Sequence, residues 1–197
     1  MRKLKLIIFL AALWVAVPAL AAEGEFDLGF ARPGMMMGQF RFGAWPPGTA
    51  IYCSDDPDRP QGVGMALTVP RKMAEIGAVR CALLTVDAKG VWSVARRRIA
   101  GHPVEMTAMF GPDAQGTKRL AQLFLTAPRE GYAGLVRHFV SRFGPPTTES
   151  ERLVHRRSPQ AEALVMHEEG DTALAMLIDS RLQEALNEKL GQFGRRQ

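Results

Sequence analysis

The chain has little cysteine, no second long apolar run and no catalytic signature that can be recognised by spacing. Cys53 and Cys81 are its only cysteines, and they do not form a Cys-x-x-Cys pair, so the motif of disulfide exchange is absent. No Gly-x-Ser-x-Gly elbow, His-Glu-x-x-His helix or Cys/His cluster at zinc spacing occurs, which removes the common hydrolase and zinc signatures. Asp55, Asp56 and Asp58 miss the Asp-x-Asp-x-Asp-Gly order of a calcium loop and read as an exposed turn. Glu168 and Glu169 alternate across a strand, so they offer no acid/base pair on one face. Past residue 21 no apolar stretch reaches the roughly 20 residues that a membrane-spanning helix takes. A charge excess is lacking too. The formal net charge of +5 includes Arg2, Lys3 and Lys5; without them 22 basic face 20 acidic side chains, too even for a nucleic-acid binder.

What is present begins at the N-terminus. Arg2, Lys3 and Lys5 precede an apolar run from Leu6 to Val17, Pro18 ends it, and Ala19-Leu20-Ala21 supplies a small-x-small cleavage site. Residues 1–21 therefore read as an export signal, and the mature chain is expected to be periplasmic or secreted. Cleavage leaves 176 of the 197 residues, enough for one domain with its own core. Ala22 stands where a lipoprotein would carry its lipid-bearing cysteine. In an oxidising compartment an even cysteine count points to a Cys53–Cys81 disulfide, closing a loop for roughly 3 kcal/mol of stability.

Residues 22–69 read as an irregular arm and loop. Six glycines from Gly24 to Gly48, with Pro33, Pro46 and Pro47, break every periodic pattern. Phe26, Phe30, Phe40, Phe42 and Trp45 are too apolar for a free tail and are expected to tuck against the domain. Residues 70–197 read as a single α+β domain. Pro70 opens a short helix to Ile76, and Gly77 stops it. Four strands follow, at Val79–Val86, Val91–Ile99, Val104–Phe110 and Arg119–Thr126, with turn signatures between them. Tyr132, Leu135, Val136, Phe139, Val140 and Phe143 then recur as one helical stripe, closed by Gly144 in a left-handed cap and by Pro145-Pro146. Strands at Arg152–Arg157, Ala163–His167 and Ala173–Ile178 come next. Ser180-Arg181-Leu182-Gln183 is a capping-box pattern that starts a last helix with Leu182, Ala185, Leu186 and Leu190 on one face. The order predicts an antiparallel sheet with helices packed on one face, built from two helix-plus-meander units.

The unit from Tyr132 to Ile178, with Leu135, Phe139, Phe143, Gly144 and Pro145 leading into three strands, resembles one found in small exported bacterial proteins. These are the BamE-like outer-membrane assembly lipoproteins and the β-lactamase-inhibitor-protein-like fold. The resemblance covers about a quarter of the chain, and it implies a protein that binds other proteins rather than one that catalyses.

His155 and His167 lie on consecutive strands and would face each other across a long connection, yet no third metal ligand is evident; His102 and His138 belong to no motif. Met35, Met36 and Met37, with His102, Met106 and Met109, have the softness Cu(I) prefers, but Met106 and Met109 point to opposite strand faces and thioethers also fill cores. Arg96, Arg97 and Arg98 alternate on a strand, so they form a solvated face rather than one patch, or else a contact for an anionic lipid head group or wall polymer. No catalytic, cofactor or metal residues are assigned. The sequence points to a non-enzymatic envelope protein that binds a partner protein. The alternatives are an exported hydrolase whose site is assembled from distant residues, and a metal or small-molecule binder.

Overall fold

The computed structural model describes residues 26–167 and 170–194; the export signal at 1–21 lies outside them. The described residues form one twisted antiparallel sheet of ten strands with helices around it. In chain order the elements are helix α1 (Met37–Arg41), strand β1 (Thr49–Cys53), a 3-10 turn at Gly64–Leu67, helix α2 (Arg71–Glu75), strands β2 (Val79–Val86), β3 (Trp92–Val94), β4 (Arg96–Ile99), β5 (His102–Pro112) and β6 (Lys118–Pro128), helix α3 (Tyr132–Phe143), strands β7 (Thr148–Glu149), β8 (Leu153–Arg157), β9 (Ala161–His167) and β10 (Thr172–Asp179), and helix α4 (Ser180–Gly194).

The strand order β1-β2-β5-β6-β10-β9-β8-β7 places two meanders side by side, joined through their last strands, β6 and β10. The stretch expected as one strand from Val91 to Ile99 is split at Ala95. Its first half pairs with β2 and its second half with β5, so it wedges between those strands where they part. Where Met109 and Phe110 of β5 pair with Gln122 and Leu120, β6 carries a bulge that leaves Ala121 without a register partner.

Alternation along the strands gives the sheet two faces. The front carries Cys81, Leu83, Val104, Met106, Leu123, Leu125, Val165, Ala175 and Leu177, all nearly inaccessible. Leu135 and Phe139 of α3 pack there, with Tyr132, Val136 and Phe143 at the margin. The segment 22–69 is not irregular throughout. It contains α1 and β1, and β1 pairs along its whole length with β2. Its rings dock on the front: Phe26 lies 5.3 Å from Phe143 edge-on, and Phe40 lies 5.4 Å from Phe110. Phe42 is the exception, at 83 % exposed; it caps α1 on the side facing away from the core.

The expectation of helices on one face does not hold. Leu182 and Leu186 of α4 pack with Ala121 on the back face, and Met73 and Ile76 at α2 join them. Gln122, the neighbour of Ala121, donates from Nε2 to Gln183 Oε1 at 2.6 Å. Gly111 allows this seating, because a Cβ there would lie 2.7 Å from Leu186 Cδ1. The capping of α4 also differs from the expected box: Asp179 Oδ1 accepts from the Leu182 amide at 2.9 Å, so the cap lies one residue before Ser180. Gly144 does end α3, at φ 86° and ψ −177°. That is an extended conformation on the positive-φ side, essentially limited to glycine, rather than the left-handed helical one.

Candidate functional site

Cys53 and Cys81 are joined, and both are fully buried. They are register partners on β1 and β2, so the bond clamps the edge strand to the sheet. Beside it Asp56, 5 % exposed, accepts from the Cys53 amide at 2.8 Å and from Arg41 Nη1 at 2.6 Å. This half-buried pair ties α1 to the turn after β1. Asp56 is therefore a structural anchor, while Asp55 and Asp58 remain exposed.

The histidines do not converge. His155 pairs with Leu164 and His167 with Ala173, which puts the two rings on opposite faces of the sheet. His155 Nε2 meets Glu162 Oε2 at 2.9 Å, and Arg157 Nε approaches the other oxygen of that carboxylate at 3.3 Å. The Thr147 hydroxyl donates to the His155 carbonyl at 3.0 Å rather than to its ring, and no hydroxyl or thiol is bonded to the ring among the described contacts. His167 stacks edge-on against Tyr132 with centroids 4.6 Å apart. Burial, then the charge of Glu149, raises the Tyr132 phenol above its ordinary pKa. His102 fills the space above Gly131 and Gly134 at the start of α3. Half-burial, followed by nearby Arg142, lowers the His138 imidazole below its usual pKa. Among the described residues no three His, Cys, Asp or Glu side chains are grouped to hold a metal ion. Met106 is buried on the front while Met109 lies on the back, paired in register with Arg80 and Gln122.

A cleft of about 610 Å³ lies between the loop of residues 54–64 and α2. Its cations are committed to backbone: Arg59 Nη1 donates to Ser54 O and Asp56 O, and Lys118 Nζ to Gly77 O. Asp55 is the one carboxylate in the lining, so the cleft offers no convergent chemistry.

The feature that sequence reading missed is the uncovered part of the back face. Register defines three rows across the strands. The first, Arg80–Met109–Gln122–Ile178–Glu162–Arg157, lies next to α4. The second is Ala82–Thr107–Phe124–Met176–Leu164–His155, and the third is Glu105–Thr126–Leu174–Met166–Leu153. Phe124, Met176, Leu164, Leu174, Met166 and Leu153 are half-buried and belong to none of the three buried clusters. They form an apolar floor, with a dimple of about 220 Å³ between Thr126, Met166, Thr172 and Leu174. Large apolar residues alternating through β6, β9 and β10 on both faces were the available signal, since a solvated back face would read as polar.

Arginines border this floor. Beside β5, on the same face, stand Arg80 of β2 and Arg96 and Arg98 of β4, opposite Met109, Glu105 and Pro103. Arg80 lies 5.5 Å above the Phe124 ring and donates to Thr68 O; its Nε is buried without a partner, and burial lowers its pKa. Arg96 meets Glu105 at 3.0 Å, and Arg98 donates to Gly101 O. Arg97 turns to the front, its guanidinium 4.3 Å from the Phe30 ring centre. The triple-arginine run thus divides as strand alternation requires.

No family model matches the chain, and no curated protein or solved structure matches it either.

Proposed function

We propose that this is an exported envelope protein that works by binding another protein on the apolar floor of its sheet. The floor is the observation that carries this reading: six large apolar side chains side by side, all half-buried and outside the three buried clusters. The buried Cys53–Cys81 bond and the N-terminal pattern of residues 1–21 support an oxidising destination, the periplasm or the exterior.

Backbone pairing is a poor alternative route to a partner, because one sheet edge is capped at both its ends and the other is very short. At β1 the Thr49 amide donates to Pro46 O, the Cys53 amide to Asp56 Oδ2, and the Asp56 amide to Cys53 O. At the far edge β7 is only two residues long, Thr148–Glu149, too short a ladder for a partner strand. An occupant therefore has side chains to read rather than a strand to extend.

Photo-crosslinking from position 176 in envelope preparations tests the proposal, with mature protein carrying Leu174→Asp as the comparison. The expected result is a discrete protein adduct that the substitution removes while the melting temperature stays within a few degrees. Adduct formation that is indifferent to Leu174→Asp would overturn it.

A further inference from the structure

The floor's dimensions and charge define what fits it, granted that it is a protein-binding surface. Helix α4 touches β6, β10 and β9 and reaches β5 through Lys189 Nζ, which donates to Pro112 O. It therefore lies across the strands, along the first row, and forms a wall on one side of the floor. Two helices packed side by side on a sheet lie about 8–10 Å apart. Successive same-face residues on a strand are separated by about 6.8 Å. One helix spacing from α4 thus falls over the row of Thr107, Phe124, Met176 and Leu164, with Leu174 and Met166 along its outer side. From β5 to β8 the floor crosses five strands, roughly 19 Å at the usual inter-strand spacing. That length corresponds to about 13 helical residues.

Charge sets the occupant's polarity. At the β5 end three guanidinium groups, those of Arg80, Arg96 and Arg98, face one carboxylate, that of Glu105. Arg80 and Arg98 are bonded only to carbonyl oxygens in the described contacts. At the β8 end Glu162 is shared by His155 and Arg157, so the guanidinium there already has a carboxylate partner. The geometry points to a partner's amphipathic helix of about 13 residues, lying beside α4 across β5, β6, β10, β9 and β8, with its apolar stripe on Phe124, Met176, Leu164, Leu174 and Met166 and its acidic end at Arg80, Arg96 and Arg98. Either chain direction satisfies this, because the stripe is carried by side chains and the acidic end alone fixes the orientation.

Two synthetic 14-residue helices serve as probes. They share a leucine stripe at i, i+3, i+4 and i+7; one carries three glutamates in a terminal turn, and the other carries three lysines there. Fluorescence anisotropy with the mature protein is expected to show the glutamate peptide binding at least tenfold more tightly, a margin that shrinks at 0.5 M salt. The double substitution Arg96→Glu and Arg98→Glu is expected to reverse the preference. Leu174→Asp is expected to abolish binding of both peptides, and Thr126→Arg, at an exposed position on the floor, does the same without touching the core. Equal affinity for the two peptides, or binding that survives Thr126→Arg, would overturn the inference. So would capture of phosphatidylglycerol vesicles with neither peptide bound, or a stable dimer whose formation Thr126→Arg blocks. If position 176 still crosslinks to a protein in a Leu174-dependent way while neither peptide binds, the helix assignment alone is overturned and the protein-binding reading stands.

Discussion

Three adjacent arginines illustrate how far one residue's fate depends on its neighbours. Strand alternation alone separates Arg97 from Arg96 and Arg98, and that much is legible in the sequence. That Arg97 lies over Phe30 depends on an arm folded back from more than sixty positions earlier. His138 is a similar case. The helical stripe puts it off the apolar face, yet burial and Arg142 hold its imidazole below the ordinary pKa. The sign of the consequence follows from proton counting. Below about pH 6.5 the unfolded chain takes up a proton on this residue before the folded chain does, so stability falls as pH drops through the histidine range. Wild-type protein is expected to lose more of its melting temperature between pH 7.5 and pH 5 than His138→Gln does. Parallel losses in the two proteins would remove His138 from the account.

At the level of elements, α3 is the clearest match between pattern and structure. Its stripe needs only the 3.6-residue period, and Leu135 and Phe139 are buried as that period requires, at 0 % and 4 % exposure. Phe139 also meets Phe143 edge-on at 5.1 Å. Phe139→Ala is expected to cost about 3–5 kcal/mol, read from denaturant unfolding, because both the transfer of the ring and the cavity left behind count against the folded state. A loss below 1 kcal/mol would mean that α3 is not central to the core. Helix α4 is only partly legible: the sequence shows its apolar face but not which side of the sheet it takes. Gly111 and the bulge beside Ala121 decide that, by clearing room for Leu186 on the back. A bulge arises from pairing between strands and leaves no periodic trace in either.

For the molecule as a whole, the disulfide is the one covalent cross-link between the 22–69 segment and the later strands. It closes a loop with a sequence separation of 28 residues, worth about 3–4 kcal/mol in a chain-entropy treatment. Both sulfurs are buried, so reduction is expected to be slow in the native state and fast in denaturant. The double substitution Cys53→Ala and Cys81→Ala is expected to lower the melting temperature by several degrees while leaving the sheet's circular dichroism intact. Loss of the β-sheet signal at 25 °C would instead make the bond a condition of folding. Floor variants such as Leu174→Asp should leave that melting temperature nearly unchanged, which separates binding from stability at the scale of the molecule.

Local chemistry determined what the sequence could state by itself: an antiparallel α+β chain, the extents of α3 and of most strands, and two cysteines suited to pairing. Each depends on a period, a turn residue or a count, all of which act over a few positions. The tertiary structure decided the rest: the joining of the two meanders through β6 and β10, β1 as an edge strand within a segment that read as irregular, helices on both faces, and the apolar floor. These follow from contacts between residues far apart in the chain. A half-buried Leu174 and a fully buried Leu177 are the same letter in sequence, and only the packing of α3 over one face of the sheet tells them apart.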